Sequence, residues 1–178
     1  LPEFEEGTEI FLSFLPLSHS YEHTAGQFLP ISIGAQIYYS EGVEHLVRNM
    51  AEAQPTIMTA VPRLYDVLHE RIIRSVRAKG GLSETLFMET VRLGRKRLDG
   101  KRLLPHEFLL DRMLERLVRN KIQERLGGRL KYFISGGAAL NPEIGSFFMA
   151  LGVKLLQGYG QTEASPVISA NRPNKIKI

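Results

Sequence analysis

The chain has 178 residues, 43% hydrophobic and 24% charged, with a formal net charge of +4. That is the usual size of one domain, with apolar material for a sizeable core and too few charges for wholesale disorder. Cysteine is absent, which excludes disulfides, thiolate metal sites and cysteine nucleophiles. No apolar run reaches the roughly 18–20 residues of a membrane span, and no signal-peptide pattern opens the chain, so a cytoplasmic protein is expected. Leu1 is not an initiator Met, and the closing Lys175-Ile176-Lys177-Ile178 follows a proline-containing stretch with no final element. A piece of something longer is therefore expected.

In chain order, residues 10–17 (IFLSFLPL) form a nearly continuous apolar run that suits a strand buried on both faces, ended by Pro16. A helix interrupted near Pro30 is expected over 18–33, with Gly34 as its stop. Residues 36–39 read as a second strand and 43–53 as a short helix. The β-branched stretch 56–61 is a third strand, and Pro62 stands where a first helical residue belongs. Leu64, Val67, Leu68, Ile72 and Val76 then fall on one stripe of a helix over 63–79, which Gly80-Gly81 stops. Helices over 84–98 and 106–126 follow. In the second, Leu110, Met113, Leu114, Leu117, Val118 and Ile122 make an apolar stripe, with Arg112, Arg116, Arg119 and Arg125 mostly off it. Gly127-Gly128 closes it. Residues 130–134 read as a strand, Asn141-Pro142 as an N-cap with proline at N1, and 153–156 as a further strand. Strands alternating with helices predict an α/β fold with a largely parallel sheet flanked by helices.

Charge is unevenly spread. Positions 70–131 carry 17 Lys/Arg against 8 Asp/Glu, a local balance of +9 that leaves −5 for the remainder. Such a basic region is either a solvated helical face or an approach surface for phosphate ligands, anionic lipid or nucleic acid. Phe87 and Phe108 are its only aromatic residues. That is too few for a single-strand stacking platform, and no nucleic-acid partner is expected.

Two glycine-rich loops follow strands, at the end where ligands of parallel sheets bind. In Ser135-Gly136-Gly137-Ala138-Ala139-Leu140, small residues admit a ligand to the backbone, and amides near a helix start attract anions. A strand-to-helix turn also needs glycine for steric reasons alone. Neither a Walker A loop nor a G-x-G-x-x-G fingerprint is present. In Gln157-Gly158-Tyr159-Gly160-Gln161-Thr162-Glu163, the ring can stack on a purine and the hydroxyl can donate to a phosphate oxygen. The carboxylate can hold Mg²⁺, which favours carboxylate and phosphate oxygens together.

Tyr159-Gly160-Gln161-Thr162-Glu163 resembles the Y-G-x-T-E motif of the acyl-adenylate-forming (AMP-binding) superfamily. Ser135-Gly136-Gly137-Ala138-Ala139-Leu140 is similar to that family's S-G-G-A-P-L loop, with Ala139 in place of the usual proline. Residues 14–23 (FLPLSHSYEH) resemble its L-P-L-x-H-x-x-E segment, and Val61-Pro62-Arg63-Leu64-Tyr65 resembles the V-P-R segment of long-chain members. The resemblance covers nearly the whole chain and points to a bacterial-type long-chain fatty acid–CoA ligase.

That resemblance implies a two-step reaction using ATP, Mg²⁺ and CoA: a fatty acid becomes acyl-AMP, and CoA then displaces AMP. It implies adenosine contacts at Gly136, Gly137 and Ala138. Gly158, Tyr159 and Gly160 would lie around adenine and the acyl carbonyl, and Thr162 on the α-phosphate. Glu163 would hold the metal, and His19 would stand near the reacting carboxylate. Read from the residues alone, His19 is equally a helix N-terminal residue with no ligand. Ile57, Val61 and residues 147–151 suit an apolar acyl chain. The family's phosphate loop ending in Pro-Lys-Gly, its ribose-binding aspartate and its small C-terminal domain are not in these residues. Residues 1–178 are therefore expected to be a fragment of the large N-terminal domain, inactive alone, with a basic helical region at about 70–128. Two rival functions stand beside this one: adenylation of an aryl, medium-chain or amino acid, and a non-catalytic module whose basic helices dock on anionic membrane, at its inner face.

Overall fold

A computed structural model describes residues 6–176. Leu1 and the last two residues, Lys177 and Ile178, lie outside the described residues. Six strands form a sheet in the order β2-β1-β3-β4-β5-β6. They are β1 (Ile10–Ser13), β2 (Gln36–Tyr39), β3 (Ile57–Ala60), β4 (Tyr132–Ser135), β5 (Leu155–Tyr159) and β6 (Ser169–Ala170). The first five are parallel, with Phe11 opposite Ile57 and Met58 opposite Phe133, and β6 runs antiparallel to β5. The expectation of a largely parallel sheet flanked by helices is met.

β3 is buried at all four positions, as a central strand should be, and its one polar side chain, Thr59, is hydrogen-bonded. β1 stops at Ser13 although its apolar run continues to Leu17. There the chain leaves the sheet through a turn closed by His19 N–H donating to the Pro16 carbonyl, at 2.9 Å. The next segment is a π-helix, Glu22–Phe28, running directly into α1 (Leu29–Ser32). Pro30 stands where the winding changes from π to α, and the helical run continues past it to Ser32.

α2 (Leu46–Ala53) and α3 (Pro62–Lys79) follow β2 and β3, with Pro62 at N1 as expected. Gly80 and Gly81, both at positive φ (59° and 56°), separate α3 from α4 (Gly81–Leu98). α7 (Pro142–Ala150) packs so closely on α4 that a Cβ at Gly94 would overlap the Ala150 backbone. Tyr65 is buried at the centre, edge-on to Phe133 and Phe148 at 5.6 and 5.9 Å. Ile57, Phe147, Phe148 and Leu151 are buried, the last three in the same cluster as Tyr65. Of the apolar set offered for an acyl chain, Val61 stands at a strand end that reaches the loops.

The expected single helix over 106–126 is three pieces: α5 (Pro105–Leu114), a π-helical stretch Glu115–Arg119, and α6 (Asn120–Arg125). Its orientation also differs from the stripe. Leu114 is buried, but Phe108, Leu109, Met113 and Leu117 are 55, 72, 44 and 43% exposed. The inward face carries charge beside Leu114, Val118 and Ile122. Glu107 takes Lys96 at 2.6 Å and Arg92 at 3.2 Å; Asp111 takes Arg97 at 2.9 Å and buried Arg119 at 2.7 Å. Arg119 also donates to the carbonyls of Ala150 and Thr90. Buried charge is tolerated only when paired, and the basic residues of α4 supply the pairs. The π-helical turn re-phases the chain so that Arg119 points inward.

Candidate functional site

In a parallel sheet the carboxyl ends of the strands share one edge, the place where the following loops meet a ligand. Here that edge is made by Ser13, Ala60, Ser135 and Tyr159, the last residues of β1, β3, β4 and β5. Three consecutive residues lie across it. Ser20 Oγ stands 3.1 Å from Thr162 Oγ1, beyond β5. The Tyr21 hydroxyl donates to the Ile134 carbonyl of β4 at 3.0 Å, and its ring covers Gly136, where a Cβ would come within 2.8 Å of Cζ. The Glu22 carboxyl accepts from Ser13 Oγ of β1 at 2.5 Å and from Thr59 Oγ1 of β3 at 2.9 Å.

The first glycine loop starts at Gly136, since Ser135 ends β4 and is buried. Gly136 N–H donates to the Ala60 carbonyl at 3.1 Å, and Gly137 takes φ +83°, which glycine alone adopts without strain. Gly137, Ala138 and Ala139 are exposed, while Leu140 anchors the far end. Leu140 N–H donates to Gln157 Oε1 on β5 at 3.4 Å, which joins the two loops. Asn141 caps α7 by accepting from Glu143 N–H at 2.9 Å, with Pro142 at N1, as expected.

In the second loop, β5 extends further than the sequence reading places it. Gly158 and Tyr159 are strand residues paired with Ala170 and Ser169, because β6 folds back on β5. The loop proper starts at Gly160. A Cβ there would overlap the Pro166 carbonyl, so the position requires glycine. Tyr159 is 60% exposed, and its hydroxyl accepts from Gln161 Nε2 at 3.3 Å. Thr162 and Glu163 lie side by side in a short 3₁₀ turn (Thr162–Ala164), both exposed.

His19 is exposed at the same edge, and its Nδ1 accepts from Tyr21 N–H at 3.2 Å. With Nδ1 so used, Nε2 carries the proton of the neutral ring and is the donor left for a ligand. Burial pushes the Glu22 carboxyl up from its ordinary value, against the pull of its hydrogen-bond donors Ser13, Thr59 and Phe14 N–H. Burial, then the neighbouring Glu22, also pushes the Tyr21 phenol up.

The structure thus gathers His19, Gly136, Gly137, Ala138, Tyr159, Gly160, Thr162 and Glu163 on one edge, with Gly158 one step inside it. Ser20, Tyr21 and Glu22 lie in the 14–23 segment matched to L-P-L-x-H-x-x-E, where only His19 was given a role; Ser13 and Thr59 were not expected at this edge. The signal for Glu22 was its place as the glutamate of that motif; the hydroxyls of Ser13 and Thr59, inside otherwise apolar strands, carried none. Among the described residues no group of three or more His, Asp or Glu could hold a metal ion by itself. Glu163 can serve only a cation that draws its other ligands from phosphate and water, as Mg²⁺ does. A hollow of about 1480 Å³ lies elsewhere, against α5, lined by residues such as Arg97, Arg102, Phe108, Arg112 and Met113.

A family model described as AMP-binding enzyme matches residues 2–177. Long chain acyl-CoA synthetase 6, peroxisomal, of Arabidopsis thaliana is 37% identical over 165 residues, covering 91% of this chain and 22% of that protein. Long chain acyl-CoA synthetase 7, peroxisomal, of the same plant is 34% identical over 92% of this chain and 23% of its own length. The chain therefore spans under a quarter of these relatives. The crystal structure of the N-terminal domain of FACL13 from Mycobacterium tuberculosis superposes with a TM-score of 0.58 at 16% identity, over 96% of this chain and 31% of that one. With the strand-edge loops and the family match in agreement, this chain belongs to the AMP-binding enzyme family.

Proposed function

We propose that the parent protein is an ATP-dependent long-chain fatty acid–CoA ligase and that this chain carries one wall of its nucleotide site. The observation that carries the reading is the meeting of His19, the Gly136 loop and Thr162-Glu163 at one sheet edge, joined by the Ser20–Thr162 contact. A fatty acid carboxylate oxygen attacks the α-phosphorus of ATP, and pyrophosphate leaves. The CoA thiol then attacks the acyl carbonyl, its proton passes to solvent, and AMP leaves. The exposed backbone of Gly137 and Ala138, below Gly136, lies along adenosine. Tyr159 and Gly160 frame adenine and the acyl carbonyl, with Gly158 holding the strand beneath them. The Thr162 hydroxyl donates to an α-phosphate oxygen, and His19 Nε2–H to the reacting carboxylate or phosphate. Glu163 is the residue that would hold Mg²⁺, which offsets phosphate charge when bound. His19, Thr162 and Glu163 thereby form the reacting end of the wall.

The same reading makes the 178 residues part of a larger nucleotide-binding domain, with the rest of the phosphate clamp and the closing small domain elsewhere in the parent. The isolated chain then has little or no ligase activity. Pyrophosphate exchange by the full-length parent, with a panel of fatty, aryl and amino acids, tests the reading. Palmitate should be preferred; amino-acid turnover without fatty-acid turnover would refute it.

A second property is favoured by the reversed face of α5. Phe108, Leu109, Met113 and Leu117 face outward beside exposed Arg112 and Arg116, with the Arg112 guanidinium 5.8 Å from the Phe108 ring centre. Apolar and cationic groups in alternation suit the interface of an anionic bilayer, where apolar acids also partition. No helix among the described residues is long and apolar enough to cross a membrane. The parent should sediment with phosphatidylglycerol vesicles at low salt and be released at high salt. Equal binding to phosphatidylcholine vesicles at either salt would contradict it.

A further inference from the structure

Glu22 poses a problem that the adenylation chemistry does not answer. It is a fully buried carboxyl, 0% exposed, on a segment where every ligand-facing role falls to its neighbours. A buried ionisable group seldom raises stability relative to a packed apolar side chain of the same volume, so its presence here calls for another reason.

Its surroundings supply one. Both carboxyl oxygens are taken, by Ser13 Oγ at the end of β1 and Thr59 Oγ1 at the end of β3. The polarity of the first bond is set from behind. Gln27 Nε2 donates to Ser13 Oγ at 3.1 Å, so the serine proton is left to point at Glu22. Gln27 is held in turn by the Tyr39 hydroxyl, which donates to its Oε1 at 2.9 Å. The helix is also shaped around the carboxyl. Residue i+4 of a helix stands over residue i, and that residue is Gly26, where a Cβ would overlap the Glu22 carboxylate. The π-helical winding of Glu22–Phe28, a form frequent at functional sites, runs through this pocket.

Glu22 therefore rivets one point of the chain to two strand ends, and the residues just before it are those that reach across the edge. Tyr21 meets β4, Ser20 meets Thr162, and His19 follows from the turn that Tyr21 N–H closes. We infer that Glu22 is a positioning residue of the adenylation step: its carboxyl fixes segment 19–22 on β1 and β3, and so sets His19 and Ser20 against Thr162. This rests on the adenylation reading above. It adds that Ser20 holds the Thr162 hydroxyl in place, and that the Ser13–Glu22–Thr59 triangle is the part of the fold on which the reacting geometry depends.

The test uses the full-length parent and palmitate-dependent pyrophosphate exchange, with kcat and KM for ATP measured beside the unfolding midpoint. Glu22→Gln keeps the shape but turns one acceptor into a donor facing other donors. Thr59→Val removes one of the two hydroxyls without changing volume. Displacement of a reacting group by about 1 Å costs up to roughly 100-fold. Glu22→Gln should therefore lower kcat about 10- to 100-fold and leave KM for ATP unchanged, and Thr59→Val should lower kcat less, in the same pattern. A folded Glu22→Gln with wild-type kcat, or with a raised KM alone, would overturn the inference. If Glu22→Gln does not fold, Thr59→Val decides: wild-type kcat in that variant overturns it, and a lowered kcat with an unchanged midpoint supports it. Absence of exchange in the wild-type parent would instead bring down the adenylation reading itself, which separates the two failures.

Discussion

Replacing Gly136 with alanine tests the contact that locks the first glycine loop against segment 19–22. A Cβ at Gly136 would lie 2.8 Å from Tyr21 Cζ and 3.1 Å from both Cε atoms. Unstrained carbon contacts lie at about 3.5–4.0 Å, so the ring must move by roughly 0.7 Å or more. It is not free to do so, because its hydroxyl is tied to the Ile134 carbonyl and its residue is 7% exposed. Overpacking of this kind costs about 1–3 kcal/mol, and loss of the tyrosine hydrogen bond adds about 1 kcal/mol. At about 2–4 °C per kcal/mol for a domain of this size, the unfolding midpoint should fall by roughly 5–15 °C. Thermal unfolding of the 178-residue chain, followed by circular dichroism, reads this directly. Tyr21→Leu removes the ring, so the double variant should be no less stable than Tyr21→Leu alone, a non-additivity that marks direct contact. A midpoint for Gly136→Ala within a degree of wild type, or strict additivity in the cycle, would refute the reasoning.

Three further outcomes follow from the packing of α4 on α5 and from the loops. Arg119→Met should destabilise the chain by about 3 kcal/mol, since it strips a donor from two buried carbonyls and one partner from Asp111. Arg97→Met, at the solvent-facing end of the same cluster, should cost less than about 1 kcal/mol, both read by urea denaturation. Glu107 is held at about 2 by the Lys96 ammonium, the Leu104 N–H and Arg92, below its ordinary 4.5. Its folded form prefers the ionised state, so its contribution is complete above pH 4.5 and is lost as pH falls towards 2. Denaturation midpoints of wild type should drop across that window, and Glu107→Gln should flatten the drop. Gly160→Ala should disrupt the turn onto Pro166 and abolish nucleotide protection of the parent in thermal shift, while Gly158→Ala, whose Cβ meets only ordinary 3.7 Å contacts, should retain it.

The elements most legible in the sequence were those with a local cause. Buried parallel strands read as apolar runs, Pro62 and Asn141-Pro142 marked helix starts, and both glycine loops fell at strand ends. The features that escaped depend on partners distant in sequence. β1 stops at Ser13 because Glu22 and the turn at Pro16 draw the chain out of the sheet, which apolar character at 14–17 cannot reveal. β5 continues through Gly158 and Tyr159 only because β6 pairs with it. The stripe at 110–122 held in part: Leu114 is buried and Val118 and Ile122 pack on the core, but Met113 and Leu117 are exposed. Here Glu107 and Asp111 find Arg92, Lys96 and Arg97 on α4, and Phe108, Leu109, Met113 and Leu117 are left facing outward. The spacing of Glu107 and Asp111, and of Arg92 and Lys96, four apart on each helix, was the overlooked signal. Of the residues offered for an acyl chain, Ile57, Phe147, Phe148, Ala150 and Leu151 are buried in this chain.

The central claim is that the sheet edge at Thr162-Glu163 is where ATP reacts. It is tested most directly by the rate of Mg²⁺-dependent, palmitate-dependent ATP–pyrophosphate exchange in the full-length parent carrying Glu163→Ala. Glu163 is exposed and ion-pairs with no described residue, so the change should leave the fold intact. The account predicts a fall of about 100-fold or more, the scale of losing one charge-stabilising group at a reacting centre. An unchanged rate with an unchanged Mg²⁺ requirement would contradict it.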